Sequence, residues 1–122
     1  MLQTYRVRQE FNLFQYERPD SIFACPLDGD NMSKWFAVIT GPEQTPWQNG
    51  VFVLSIEYPP TYPETHAKIK FETSVYHPNV YTDGRICLDI IQEKWNPIYT
   101  TDQILMQIRS LLAEPNPESP AN

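Results

Sequence analysis

The chain has 122 residues, a length typical of one domain, and its 41% hydrophobic and 13% aromatic content is that of a folded globular protein. Fifteen acidic residues against nine basic ones give a net charge of −6, which argues against binding to nucleic acids or acidic membranes through a basic face. The first residues are charged and lack the apolar core of a secretory signal, and no run approaches the ~20 apolar residues that span a bilayer.

The first part of the chain predicts one helix followed by four strands. Residues 2–17 favour an amphipathic helix that ends before Pro19, because proline disfavours helical backbone in the residue before it. Pro26 is expected to break the first strand, and residues 31–34 are expected to form a turn before the second. The four β-rich runs are Ser21–Leu27, Trp35–Thr40, Val51–Tyr58 and Ala67–Glu72. Short connections between consecutive strands favour an antiparallel meander.

The second part of the chain predicts a long loop and a second helix. Residues 76–100 have no sustained period although apolar residues are plentiful, and long ordered loops of this kind are often functional. Thr101–Ala113 predicts a helix, with Thr100 or Thr101 as its cap and apolar residues at helical spacing. The predicted fold class is therefore α+β, a four-stranded antiparallel meander with an N-terminal helix and a second helix after the loop.

The cysteines indicate a reducing compartment and one candidate nucleophile. Cys25 and Cys87 can form at most one disulfide bond, which favours the cytoplasm or the nucleus. There is no CxxC pair, and only His66 and His77 could assist the thiols, so we expect no metal site. Cys87 follows the Asp83-Gly84 turn among apolar neighbours, and it is interpreted either as an inert buried residue or as a nucleophile. Without a neighbouring base, such a thiol can still exchange an acyl group with a thioester.

The order of motifs around Cys87 resembles that of the ubiquitin-conjugating enzymes. The motifs, in chain order, are Tyr62-Pro63, His77-Pro78-Asn79, Cys87-Leu88-Asp89, Trp95-Asn96-Pro97 and Glu114-Pro115-Asn116-Pro117. The match covers nearly the whole chain, and the combination is highly specific although no single motif is. Within the family, HPNVYTDGRICLDI and EPNPESPAN are most similar to the branch named for radiation sensitivity, which modifies histones.

The resemblance implies a carrier enzyme with the UBC fold, whose catalytic core is one domain over residues 1–122. Cys87 would accept ubiquitin as a thioester from an activating enzyme, and would pass it to lysines of a protein substrate with the help of a ligase, which we expect to be of the RING type. No metal or organic cofactor is implied, because the activating enzyme consumes the ATP.

The resemblance also implies roles for residues around Cys87. Asn79 would stabilise the oxyanion formed during acyl transfer or order the adjacent loop, and a preorganised oxyanion donor is typically worth about 2.7–4 kcal/mol. His77 and Pro78 would have structural roles beside it. Tyr81 and Asp89 match positions near the incoming lysine, which they would desolvate and orient; a packed tyrosine and a solvated carboxylate are the alternatives.

Two surfaces are implied for partners. The polar side of the second helix would receive the donor ubiquitin, with a merely solvated surface as the alternative; its residues are Gln103, Gln107 and Ser110. A ligase would contact the first helix and two loops, at residues that we call the loop face: Pro63, Glu64, Pro97 and Ile98. The activating enzyme would meet the early bases Arg6 and Arg8. Glu64, His66-Ala67, Asn96 and Ile98 depart from common family patterns, so no particular ligase is predicted.

The end of the chain carries two further expectations. Ser119 matches a gate position at the rim of the active site where many members have an acid, and it is a candidate phosphorylation site before Pro120. Family domains continue past the SPAN motif into two more helices, whereas this sequence stops at Asn122. Uncovered apolar surface at this end would favour a homodimer.

Two other functions are consistent with the same resemblance. The first is a non-catalytic module that binds ubiquitin or a ligase, and its usual mark is loss of the cysteine, which is present here. The second is a carrier for a ubiquitin-like modifier. Trp95 follows Cys87 without the insertion seen in the small-modifier branch, which favours ubiquitin.

Overall fold

The structure is a computed structural model that describes residues 2–115, and it contains two α-helices and one sheet. The helices are α1 (Leu2–Tyr16) and α2 (Thr101–Ala113), and a short 3₁₀ helix lies at Asp89–Ile91. The strands are β1 (Ile22–Asp28), β2 (Asn31–Thr40), β3 (Val51–Glu57) and β4 (Lys68–Phe71). They pair antiparallel in the order β1-β2-β3-β4. The predicted α+β meander is confirmed.

The first hairpin differs from the sequence prediction at two points. Residues 31–34 are not a turn, because Asn31 already pairs with Asp28, so that only Gly29 and Asp30 remain in the loop. Pro26 does not break β1 and lies opposite Trp35. A residue without an N–H group is tolerated there because β1 is an edge strand, and the register shifts directly after it, between Pro26 and Asp28. The other predicted strand ends differ from the observed ones by at most one residue.

Both helices pack on β1 and β2, and Trp35 lies at the centre of the core between them and the sheet. The side chain of Trp35 is fully buried, because alternate residues of β2 point to the covered face of the sheet. Phe11, Phe14 and Tyr58 contact its ring edge-on, at centroid distances of 5.5–6.1 Å. Its indole N–H donates to the carbonyl oxygen of Met32 at 2.8 Å. Trp35 therefore joins α1 to the middle of the sheet.

The opposite face of the sheet carries apolar side chains that are partly exposed. Phe23 of β1 is 40% exposed and its ring contacts Phe36 of β2. Val38 and Val53 continue this face across β2 and β3. In the part of the chain that the structure describes, neither helix is long and apolar enough to cross a membrane.

Candidate active site

Cys87 lies on a narrow antiparallel loop that also carries Asn79 and Tyr81. The amide of Cys87 donates to the carbonyl oxygen of Asn79 at 2.8 Å, and the amide of Tyr81 donates to the carbonyl oxygen of Arg85 at 2.9 Å. Val80 and Ile86, between these pairs, form an isolated β-bridge. The structure thus brings together three residues of the predicted site that are separated along the chain.

A glycine turn attaches this loop to the sheet. Gly84 has φ of +95°, which side chains rarely tolerate, and a Cβ atom there would lie 2.0 Å from the carbonyl oxygen of Phe71. The close approach lets the amide of Phe71 donate to the carbonyl oxygen of Gly84 at 2.9 Å. Gly84 therefore connects β4 to the segment that presents Cys87.

His77 holds the start of the same loop against α2. The imidazole is buried, its Nε2 donates to the carbonyl oxygen of Leu111 at 2.8 Å, and its Nδ1 accepts from the amide of Asn79 at 3.0 Å. This pattern requires the neutral ring with the proton on Nε2. Burial lowers the pKa of His77, and the bond to Leu111 opposes this shift only in part. With both nitrogens bonded to the backbone, His77 is not available as a base for Cys87.

Cys87 is a partly exposed residue with a free thiol, and in residues 2–115 neither a histidine nor a carboxylate is hydrogen-bonded to its sulfur. Cys25 is also a free, partly exposed cysteine, so exposure alone does not distinguish the two. Cys25 lies on β1, where burial raises the pKa of its thiol. Cys87, by contrast, lies on the loop that also carries Asn79 and Tyr81. It can take up an acyl group from a reactive thioester, a reaction that needs access to the sulfur more than a strong base.

Asn79 is fully buried, with none of its surface exposed. Its main chain accepts from Cys87 and donates to His77, so it orders the loop beside the thiol. Pro78, directly before it, is exposed. The oxyanion role of the Asn79 side chain stays a prediction.

Tyr81 and Asp89 flank Cys87, and each has a basic partner. The guanidinium carbon of Arg85 lies 4.6 Å from the centroid of the Tyr81 ring. The carboxylate of Asp89 lies 3.5 Å from the ammonium group of Lys94. Asp89 is also the first residue of the 3₁₀ helix that follows the cysteine. Both side chains are partly exposed, so an incoming amine can reach them. Their roles toward a substrate lysine stay predictions.

The polar side of α2 is open to solvent over its whole length, since Gln103, Gln107 and Ser110 are all exposed. Gln103 also has a local function, because its side-chain oxygen accepts from the amide of Thr100 at 3.1 Å and so caps the first turn. The face is therefore accessible to a partner, and one of its residues is also a structural element of the helix.

Trp95 joins the two parts of the loop face. Its indole N–H donates to the carbonyl oxygen of Pro63 at 2.9 Å, and Pro97 and Ile98 lie two and three residues after it in the chain. Pro63 is buried, whereas Glu64 and Pro97 are exposed and Ile98 is 75% exposed. The structure thus brings the two loops into one region. Ser119 lies outside the described residues, and within residues 2–115 no three His, Cys, Asp or Glu side chains are placed to share a metal ion.

The polar residues by which α1 reaches the loops were not predicted in this role. Gln3, Arg6 and Glu10 are spaced for one side of a helix, and the unusual feature is that Glu10 is buried. The spacing was readable in the sequence, whereas the burial of a carboxylate was not. Arg6, read as a base for the activating enzyme, contacts Glu10 and is only 17% exposed, which leaves Arg8 as the exposed base of this pair.

Comparison with known proteins assigns the chain to a family. A family model described as ubiquitin-conjugating enzyme matches residues 6–122. "Ubiquitin-conjugating enzyme E2 1" of Caenorhabditis elegans is 45% identical over 117 residues, which are 96% of this chain and 60% of that protein. "Ubiquitin-conjugating enzyme E2 3" of Arabidopsis thaliana is 44% identical over 117 residues, 96% of this chain and 77% of that protein. This chain is a member of the ubiquitin-conjugating enzyme family.

Proposed function

We propose that this protein is a ubiquitin-conjugating enzyme that carries ubiquitin on Cys87. The observation that supports the proposal most directly is the placement of Cys87. The residue is partly exposed with a free thiol, and its backbone amide donates to the Asn79 carbonyl oxygen at 2.8 Å. Membership of the family and the similarity to two named ubiquitin-conjugating enzymes point to the same reaction.

The reaction consists of two acyl transfers. The Cys87 sulfur attacks the carbonyl carbon of the ubiquitin thioester on the activating enzyme, a new C–S bond forms, and the sulfur of the activating enzyme leaves. A neutral lysine amine of the substrate then attacks the Cys87 thioester, the amide bond forms, and Cys87 leaves as a thiolate. The proton lost by the amine passes to solvent. Neither step needs a metal or an organic cofactor, because ATP is consumed earlier by the activating enzyme.

The residues around Cys87 are proposed to assist the second transfer. Tyr81 and Asp89 would orient the incoming amine, and for this the Asp89 carboxylate must exchange its contact with Lys94, which is 3.5 Å long and lies at the surface. Such exposed ion pairs stabilise a protein by only about 0–1 kcal/mol, so breaking this one requires little free energy. Asn79 would order the loop, and its side chain would stabilise the oxyanion.

Partner surfaces are proposed on two sides of the molecule. The exposed polar side of α2 would receive the donor ubiquitin, and the loop face would receive a ligase of the RING type.

The two free cysteines are consistent with the cytoplasm or the nucleus. A homodimer stays a prediction, which light scattering of the purified protein would test.

A single-turnover charging assay tests the proposal. The protein is mixed with ubiquitin, activating enzyme and ATP, and run on gels with and without reductant beside the variants Cys87→Ala and Cys25→Ala. We expect a reductant-sensitive adduct in the wild type and in Cys25→Ala, and none in Cys87→Ala. A folded wild-type protein without an adduct would contradict the proposal and favour a binding module; an adduct formed only with a ubiquitin-like modifier would change the cargo.

A further inference from the structure

The side of α1 that carries Gln3, Arg6 and Glu10, which we call the polar stripe, contacts loops rather than the sheet. The side-chain amide of Gln3 donates to the carbonyl oxygens of Tyr58 and Pro59 at 3.1 and 3.2 Å. The two other residues of the stripe contact Tyr62, Tyr99 and Thr101. The polar stripe thus lies against the segments that leave β3 and enter α2.

Arg6 binds three parts of the molecule with one guanidinium group. Its Nη2 donates to the carbonyl oxygen of Tyr99 at 2.7 Å, and its Nε lies 3.2 Å from the Glu10 carboxylate. The group also lies over the ring of Tyr62, 5.6 Å from the centroid. A planar guanidinium with donors on several sides suits such a junction, which a lysine could not reproduce.

Glu10 is the buried centre of these contacts. Only 2% of the residue is exposed, and its carboxylate accepts from the amide of Thr101 at 2.5 Å and from the hydroxyl group of Tyr62. Thr101 is the first residue of α2, so the carboxylate lies at the positive end of that helix dipole. Burial and the nearby Glu10 charge both raise the pKa of Tyr62, which keeps its hydroxyl protonated and donating.

The residues held by Arg6 and Glu10 lie next to the loop face. Tyr62 directly precedes Pro63, and Tyr99 directly follows Ile98. Trp95 closes the set, since it contacts the rings of Tyr62 and Tyr99 and bonds to Pro63. One buried carboxylate and one guanidinium therefore hold the Tyr62 side chain on one side of this surface and the backbone of Tyr99 and Thr101 on the other.

We infer that Glu10 and Arg6 are positioning residues for the ligase-binding surface, a role that rests on the proposed function of the loop face. They do not contact the reacting atoms. By holding Tyr62, Tyr99 and Thr101 at fixed positions, they give the loop face one shape before a ligase binds. The ordering cost is then met during folding rather than during binding, which strengthens the complex.

The variant Glu10→Gln tests the inference without changing the size of the side chain. Three donors converge on the carboxylate, from Arg6, Tyr62 and Thr101, and a glutamine amide replaces one acceptor oxygen by a fourth donor. We expect the half-saturating concentration of an isolated RING domain in thioester discharge to rise about fivefold or more. Ligase-free discharge of the precharged thioester to free lysine should stay within about twofold of the wild type, because the Cys87 loop is not contacted.

Hydrogen exchange supplies the second measurement, and Glu17→Gln is the matched control. Glu17 is exposed at the end of α1, so its substitution makes the same change of charge outside the network. In Glu10→Gln the amides of residues 95–101 should exchange about tenfold faster, while those of β2 and β3 keep their rates. In Glu17→Gln both sets of amides and the RING half-saturation should match the wild type.

If Glu10→Gln does not fold, Tyr62→Phe tests the same inference, because it removes one donor to Glu10. Its control is Tyr16→Phe, at a tyrosine that is 84% exposed. The RING domain is chosen because it accelerates discharge of the wild-type thioester. Unchanged half-saturation in a folded variant, or faster exchange spread evenly over the sheet, would overturn the inference. If the wild-type protein forms the thioester but no RING domain accelerates its discharge, the proposed ligase surface is wrong. If it forms no thioester, the proposed function is wrong. Either result would also overturn this inference.

Discussion

His77 begins the loop that carries Cys87, and its ring bonds to backbone atoms and not to the thiol. Its two ring nitrogens bond to Asn79 and Leu111, so one side chain connects the Cys87 loop to the end of α2. Its motif HPN is one of several that together indicated the family, and the resemblance implied a structural role for His77. The contact with Leu111, which lies 34 residues further along the chain, was not predicted.

His77 should make the protein less stable in acid. Its folded-state pKa is lowered below the unfolded value of about 6.5, so the unfolded chain binds the proton more readily. The stability that comes from this site is therefore complete above about pH 6.5 and is lost as the pH falls toward the folded-state pKa. We expect the free energy of unfolding to drop between pH 7.5 and 5.5, and to drop less in His77→Gln. Urea unfolding at the two pH values measures this.

His66→Gln is the matched control for that experiment, since it removes the other histidine of the chain, which is only partly buried. The loss of unfolding free energy between pH 7.5 and 5.5 should be smaller in His77→Gln than in His66→Gln. Equal losses in the two variants would assign the acid sensitivity to the carboxyl groups and not to His77.

Helix α2 illustrates an element whose sequence signals agree with one another. Its bounds match the prediction, because a threonine cap, an apolar stripe and a following proline all indicate the same span. The start of β2 was predicted wrongly, because residues 31–34 have turn-forming composition and join the strand through pairing with its neighbours, Asn31 with Asp28 of β1 and Lys34 with Glu57 of β3. Pro26 was misjudged for a related reason, since its place on an edge strand is a property of the sheet and not of its neighbours in sequence.

Gln103 and Gln107 should differ in their effect on the stability of α2. Gln103→Ala removes the bond to the Thr100 amide and should lower the free energy of unfolding by about 0.5–1.5 kcal/mol. Gln107 is exposed, so Gln107→Ala should change the free energy of unfolding by less than about 0.5 kcal/mol. Thermal or urea unfolding of the two variants measures the difference.

The same pair separates folding from docking. If the α2 face receives ubiquitin, Gln107→Ala should slow discharge of the thioester at unchanged stability. Equal loss of stability in both variants would argue against the capping role of Gln103.

The whole molecule depends on the core around Trp35. Trp35→Ala would remove a fully buried indole, its three aromatic contacts and its bond to Met32, and should cost about 3–5 kcal/mol. That is a large part of the stability of a typical domain, which is about 5–15 kcal/mol. The midpoint of urea unfolding should fall strongly while its slope is retained.

Phe23→Ala is the comparison on the other face of the sheet. Phe23 is 40% exposed, and its removal should cost about 1 kcal/mol. A midpoint for Trp35→Ala as high as that for Phe23→Ala would contradict the placement of the core on the helix-covered face.

The sequence by itself determined the order of the elements, the α+β class and Cys87 as the candidate nucleophile, because periodicity, caps, turns and motifs are properties of residues that are close in the chain. Only the tertiary structure decided how Cys87 is held by Asn79, how His77 reaches Leu111, and why a glutamate of α1 is buried. The bond from Thr101 to Glu10 joins residues 91 positions apart. Such contacts depend on how the helices and loops pack on the sheet, and no local pattern encodes them.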